Sequence, residues 1–319
     1  MPITLPPISR RSFLSASAAA AGSILTGCSH MVRDQRPSDP NRFVLLSDTH
    51  IHYDRGWFHD GKVNTWENFE QVSRHILAQA TLPSKAFVCG DCVYLQGRYD
   101  DYMTLTQAVG PLRQEGIAVH MALGNHDDRE NFGNVMPIDS SRQESVTDRQ
   151  VMLVGTACAN WYLLDSLVVT NQTPGRLGEK QVAWLAGSLD AHADKAAIVM
   201  LHHNPDELTR IPSVSDGKSA VDAAIAKVSG LIDTKALLEV ILPRKNVKMC
   251  IYGHTHIWQH AEREGLHLLN LPPTAWVFNA DRPNGYVAAT LRADGASLQL
   301  HCLKANHPQN GQTLDLKWR

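Results

Sequence analysis

The residues Tyr252, Gly253, His254, Thr255 and His256 follow an apolar run at 247–251. In an extended segment side chains alternate with period two, which would set His254 and His256 on one side. Gly253 at the strand end allows a tight turn. Neutral imidazole ligates Zn, Fe, Mn or Co ions. Two histidines in a loop are common at any surface, so the pair gains meaning only if other strands end in matching donors. Four further apolar runs do. Residues 43–47 lead into Asp48-Thr49-His50, and 86–89 into Gly90-Asp91. Residues 118–123 lead into Gly124-Asn125-His126-Asp127, and 196–201 into His202-His203-Asn204-Pro205. Carboxyl ends of strands are where open α/β sheets carry their sites. The donors are oxygen and nitrogen, which suits Mn, Fe, Zn or Co and argues against Cu(I) or a thiolate zinc site. Asn125 offers a neutral amide oxygen for a hard cation. The two oxygens of Asp91 can bridge two metals.

In order, these motifs resemble the five motifs of the calcineurin-like metallophosphoesterase superfamily, over residues 42–303. The stretch Gly124-Asn125-His126-Asp127-Asp128-Arg129 resembles the branch of class III cyclic-nucleotide phosphodiesterases and glycerophosphodiesterases. So does Leu164-Asp165-Ser166 followed by Gly178 and Gln181-Val182-Ala183-Trp184-Leu185. The resemblance implies an α/β fold, a four-layer α/β/β/α sandwich of two mixed sheets flanked by helices. It implies one cation on Asp48, His50, Asp91 and His256, and a second on Asp91, Asn125, His202 and His254, about 3.5–4 Å apart as in other two-metal sites. His203 is the alternative to His202, because Asn204 stands where related proteins have proline. The ions would be two of Fe, Mn, Zn or Co. His126 would face the leaving group as general acid, with Asp127 orienting its ring. The implied reaction is hydrolysis of a small phosphodiester by a metal-bridging hydroxide, since bound water falls from about 15.7 to near 7 in pKa. Phosphomonoester hydrolysis is the alternative reaction. A non-catalytic metal-binding lipoprotein is the alternative outside catalysis.

Other elements must hold these strand ends in place. Helical spacing predicts helices at 65–80, with Thr65 as N-cap, and at 101–114, 179–192 and 233–242. Residues 152–153, 160–165 and 168–170 read as strands of a second sheet, completed by short strands from Gln259 to Leu303. The loops 51–60, 93–98, 206–217 and 270–276 would wall the cleft, with Tyr94 and Arg98 as candidates for phosphate or base contact. Cys89 and Cys92 have the spacing of a redox or zinc pair, but Cys89, like Cys250, sits in an apolar strand and reads as a buried small hydrophobe. Five cysteines besides Cys28 make an odd count, against a full disulfide framework.

The start of the chain reads as a targeting segment. Ser9-Arg10-Arg11-Ser12-Phe13-Leu14 is a twin-arginine signature. Leu25-Thr26-Gly27-Cys28 resembles the lipobox of bacterial lipoproteins. The expectation is a signal over 1–28, a tether over 29–41, a metallophosphoesterase domain over 42–304 and a loose C-terminal extension over 305–319. It includes export in folded form by the twin-arginine machinery and a membrane anchor through lipid on Cys28, facing the periplasm. A net charge of −2 over 319 residues favours no nucleic acid polymer as partner. Related diesterases often assemble as dimers, so a homo-oligomer stays open.

Overall fold

The computed structural model describes residues 36–137, 139–143, 145–205 and 230–319. The twin-arginine signature, the lipobox with Cys28 and the loop 206–217 lie outside the described residues. The elements run β1 (Ser38–Leu46), α1 (Thr65–Leu77), β2 (Leu82–Cys89), α2 (Tyr99–Gln114), β3 (Ala118–Ala122) and α3 (Arg129–Val135). Then come β4 (Met152–Gly155), β5 (Asn160–Leu163), α4 (Glu179–Ala191), β6 (Ala197–Met200), α5 (Thr234–Ile241) and β7 (Val247–Tyr252). The chain closes with β8 (Gln259–Arg263), β9 (Leu266–Asn270), β10 (Gly285–Arg292), β11 (Gly295–Cys302) and β12 (Thr313–Lys317).

Two six-stranded mixed sheets result, ordered β12-β11-β10-β1-β2-β3 and β4-β5-β6-β7-β9-β8. The alternation of side chains along each strand divides the interior into three cores. Phe43, Leu45, Phe87 and Cys89 face the second sheet, where Trp161, Ile198, Met249 and Ile251 meet them. Phe87 stacks on Trp161 with centroids 4.1 Å apart. The opposite faces of β1 and β2, Val44, Leu46, Ala86 and Val88, pack under Phe69, Ile76, Leu105 and Leu112 of α1 and α2. Tyr162, Val199 and Cys250 turn the other way, toward Leu185 and Leu189 of α4 and Leu237 and Ile241 of α5. Each side chain of Leu or Phe size buried this way contributes about 1.5–3 kcal/mol. The layers are helix, sheet, sheet, helix, as expected. The five donor-bearing strands β1, β2, β3, β6 and β7 all end on one edge of this sandwich.

Several boundaries differ from expectation. The N-cap of α1 is Asn64, whose Oδ1 accepts from Glu67 N at 3.0 Å, and the helix stops at Leu77. Residues 168–170 form no strand. The guanidinium groups of Arg129 and Arg149 both donate to Leu167 O, and Thr170 Oγ1 donates to Asp127 O at 2.9 Å, so this segment is held as a loop across the site. The short helix α3 adds to the expected set. Residues 38–41 belong to β1, whose Ser38 and Asp39 pair with Leu82 and Pro83, and not to a tether. The tail beyond Ala305 is not loose. It adds β12 antiparallel to β11, with Leu316 buried and Trp318 packed against the inter-sheet core. No helix among the described residues is long and apolar enough to cross a membrane.

Candidate metal centre and active site

Two groups of donors face each other at the strand ends. Asp48, His50 and His256 form one, and Asp91, His202 and His254 the other, with ligand atoms inside each group within 4.8 Å of one another. His256 Nε2 lies 3.2 Å from Asp48 Oδ1 and 3.4 Å from His50 Nε2. His202 Nε2 lies 3.2 Å from Asp91 Oδ2 and 3.2 Å from His254 Nδ1. Asp91 Oδ2 is also 3.7 Å from His50 Nε2, so one oxygen stands between the groups. Asn125 is buried on the same cleft. His203 turns away, its Nδ1 bonded to Ser166 Oγ at 2.8 Å.

The backbone that presents these donors is not extended. Asp48, His50, Asp91, His254 and His256 have φ of 51°, 44°, 47°, 69° and 54°. The expected period-two alternation therefore does not apply past the strand ends. Left-handed residues other than glycine cost of order 1–3 kcal/mol each, and persist where the surroundings hold them. Here the hold is a set of backbone bonds between loops, Asp48 N to Gly90 O at 3.1 Å and His50 N to Asp91 O at 3.0 Å. His254 and His256 fall into different groups: His256 joins β1's donors, and His254 joins those of β2 and β6. Two glycines make room. A Cβ on Gly124 would collide with Asp91 Oδ1, and one on Gly90, at φ 77°, would lie 2.6 Å from the His202 ring.

Each aspartate has one oxygen anchored and one turned inward. Asp91 Oδ1 accepts from His126 N at 2.9 Å, leaving Oδ2 to the ligands. Asp48 Oδ2 accepts from Ser47 Oγ and from His254 N, leaving Oδ1. Two of the imidazoles are anchored on the far side too. His202 Nδ1 donates to Cys89 O at 2.8 Å and His256 Nδ1 to Trp276 O at 2.6 Å, so in the neutral rings each Nε2 offers a lone pair. Lone pairs and carboxylate oxygens this close require positive charge between them. Burial would raise Asp48, but His256 and His202 outweigh it and hold the carboxyl near 2. Burial likewise opposes Asp91's charge, and His202 and His126 keep it well below the usual carboxylate range. Burial would lower His202, yet Asp91 lifts it to about 9, while burial and then His202 push His254 down to about 3. Asp48 Oδ1 and Asn125 Oδ1 are buried with no hydrogen-bond partner. A buried acceptor left unpaired costs about 1–3 kcal/mol, so the donor set fits cations that take oxygen and nitrogen.

His126 stands beside this centre with Nε2 4.0 Å from Asp91 Oδ2. Its Nδ1 donates to Leu95 O at 3.1 Å. Asp127 does not orient that ring. Its carboxylate accepts from Gly124 N at 2.8 Å, Cys92 N at 3.1 Å and Tyr102 OH at 3.0 Å, and so fixes the turn instead. Burial, then the charge of Asp91, raise Asp127 to about 6. Arg129 clasps Asp165 through Nε and Nη2 at 2.6 and 3.0 Å, a structural pair. Cys89 and Cys92 are free and buried, and burial raises both thiols well above their usual range. The cleft above the donors holds about 1180 Å³. Tyr94 and Arg98 are not on its lining. Tyr94 packs on Trp57, and Arg98 sits over Tyr53. Two aromatic residues that the motifs did not single out, Trp276 and Phe278, do line it, stacking on His50 at 4.2 Å and on His256 at 4.5 Å.

The chain resembles known proteins along this same frame. The model of the calcineurin-like phosphoesterase family matches residues 41–258. A probable cyclic nucleotide phosphodiesterase of Rhodococcus erythropolis is 30% identical over 234 residues, 70% of this chain and 68% of that protein. The 3',5'-cyclic adenosine monophosphate phosphodiesterase CpdA of Pseudomonas aeruginosa is 27% identical over 237 residues, 74% of this chain and 76% of that one. Among solved structures, a dimetal phosphatase from Danio rerio superposes with a TM-score of 0.64 at 14% identity, covering 88% of this chain and 100% of that one. With its five donor-bearing strand ends inside the matched span, the chain belongs to the calcineurin-like phosphoesterase family and is a phosphoester hydrolase.

Proposed function

We propose that the protein is a metal-dependent phosphodiesterase acting on small diesters, cyclic nucleotides first and glycerophosphodiesters next. The observation that carries this reading is Asp91 Oδ2, held between two groups of donors by the anchoring of its partner oxygen. The names of the relatives support the cyclic-nucleotide choice. Asp48, His50, Asp91 and His256 would hold one cation, and Asp91, Asn125, His202 and His254 the other. When bound, two ions of the Fe, Mn, Zn or Co kind supply an activated water and neutralise phosphate charge. The chain's own residues do the rest. Anchoring of Nδ1 on Leu95 O leaves Nε2 of His126 as the atom that delivers a proton to the leaving oxygen. The stacked rings of Trp276 and Phe278 shield one side of the donors from water.

The test is Asp91→Ala, assayed with cyclic AMP and with a chromogenic diester and monoester at saturating metal. The expected loss in kcat/KM is about a thousandfold, on the scale of removing one electrostatic element of a hydrolytic site, with bound metal reduced and circular dichroism unchanged. Full activity in Asp91→Ala overturns the two-metal reading. Faster turnover of the monoester would favour a phosphomonoesterase. Export by the twin-arginine route and a lipid anchor on Cys28 are proposed on the sequence motifs alone. Palmitate labelling checks the anchor: equal label in wild type and Cys28→Ala would dismiss it.

A further inference from the structure

Past the donors, the cleft has an aromatic wall whose outward ring faces the hydrolytic chemistry leaves unused. Phe58 and Phe278 are 45% and 56% exposed, yet both line the cleft that reaches Asp91, Asn125 and His126. Phe278 lies on the His256 ring at an interplanar angle of 22°, so one face is covered and the rest is open. Two residues earlier, Trp276 stacks on His59 with centroids 3.8 Å apart at 14°. That stack joins the loop between β9 and β10 to the loop between β1 and α1, which carries Phe58. The wall is thus fixed in register with the donor histidines. Three amides at this end are committed to backbone carbonyls. Asn68 Nδ2 donates to Ala275 O at 2.8 Å, Gln71 Nε2 to Leu303 O at 2.8 Å and Asn284 Nδ2 to Ala275 O at 2.9 Å. Ring faces are on offer, and each of these amides already has a carbonyl partner.

We propose that Phe278, with Phe58, seats the flat organic group of the substrate and selects a planar ring on the ester without reading which base it is. This rests on the phosphodiesterase reading of the same cleft. Stacking tolerates any base because every base has a π face. Selection by hydrogen bonds would instead need free donors and acceptors aimed at the ring edge.

The experiment compares kcat/KM for cyclic AMP, cyclic GMP and glycerophosphoethanolamine, an aliphatic diester. The two purine substrates are expected within about threefold of each other and about tenfold above the aliphatic one, the scale of one base–aromatic stack. Phe278→Ala lowers the purine-to-aliphatic ratio about tenfold, and Phe278→Trp retains it. An unchanged ratio in Phe278→Ala, or a hundredfold preference for one purine, overturns the proposal. Calorimetric binding of 5'-AMP against ribose 5-phosphate gives a second readout. Tighter AMP binding that vanishes in Phe278→Ala supports the seat, and equal binding in the wild type dismisses it. If no diester is turned over, the phosphodiesterase reading fails, and the binding comparison still decides the seat.

Discussion

Asp48 and Asp91 face the same problem, a buried carboxylate that must keep one oxygen free. Each answers it by tying the other oxygen to a neighbouring loop, Asp48 to Ser47 and His254 N, Asp91 to His126 N. The ligand geometry therefore depends on residues that touch no ligand. Gly124 is the sharpest case, since any Cβ there meets Asp91 Oδ1. We expect Gly124→Ala to displace the shared oxygen and lower kcat about a hundredfold, the scale of a 1 Å misplacement. Metal content per chain would fall with it. Wild-type metal content and rate would show that Asp91 has room to move. The donors themselves were legible because polar side chains at the end of an apolar run have few other reasons to be there. Leu95 O and Trp276 O, which anchor His126 and His256, were not, because every residue type carries a carbonyl. Asp127 departs from expectation for a related reason. Neighbours in sequence point apart, and its carboxylate closes the turn rather than touching the next ring.

At the scale of elements, the core strands were readable and the peripheral ones were not. Toward their C-terminal ends β1, β2, β3, β6 and β7 are buried on both faces, so their runs there are largely apolar. Residues 168–170 look equally apolar, but Val168 and Val169 are exposed, and two arginines on Leu167 O hold the segment away from the ladder. The contact of α1 with β10 and β11 gives a prediction about pH. His301 on β11 stacks on Tyr286 at 4.9 Å, with His75 of α1 edge-on at 4.9 Å. Burial, then the charges of His75 and Arg42, lower His301 to about 4. Between that value and the ordinary 6.5 the unfolded chain binds more protons than the folded one, so stability rises with pH there. The contribution is intact above about 6.5 and is lost as pH falls toward 4. His301→Phe keeps the stack and removes the proton site. Its Tm should fall less than the wild type's between pH 7 and pH 5, measured with metal held constant. Equal falls would place the acid sensitivity elsewhere.

The described residues build two sheets whose strand ends must stay opposed to within about 0.5 Å, because Asp48 and Asp91 come from one sheet and His202, His254 and His256 from the other. Loops at the site cannot hold that alignment alone. The apolar layer between the sheets supplies most of it, and the last strand adds a clasp. β12 is the edge strand of the first sheet, yet Lys317 O accepts from His267 Nε2 at 2.8 Å, on β9 of the second. Arg319 reaches further. Its guanidinium donates to Val247 O, Ile241 O and Arg244 O at 3.0 Å each, and to Glu264 O at 3.2 Å. Those carbonyls belong to the end of α5 and its turn, the start of β7 and the turn between β8 and β9. One side chain thus ties the first sheet to the root of the strand that carries His254 and His256. The sequence hid this, because the inward positions Leu314 and Leu316 are only two, set among Thr313, Asp315 and Lys317. Arg319→Ala should lower unfolding free energy by about 2 kcal/mol, the range for hydrogen bonds made by a charged group. A shifted urea midpoint at unchanged m-value would report it. The turnover rate at saturating substrate should hold below the unfolding transition, since the inter-sheet core still aligns the donors. A loss of turnover before any loss of structure would mean that the clasp, and not the core, sets the spacing between the two halves of the site.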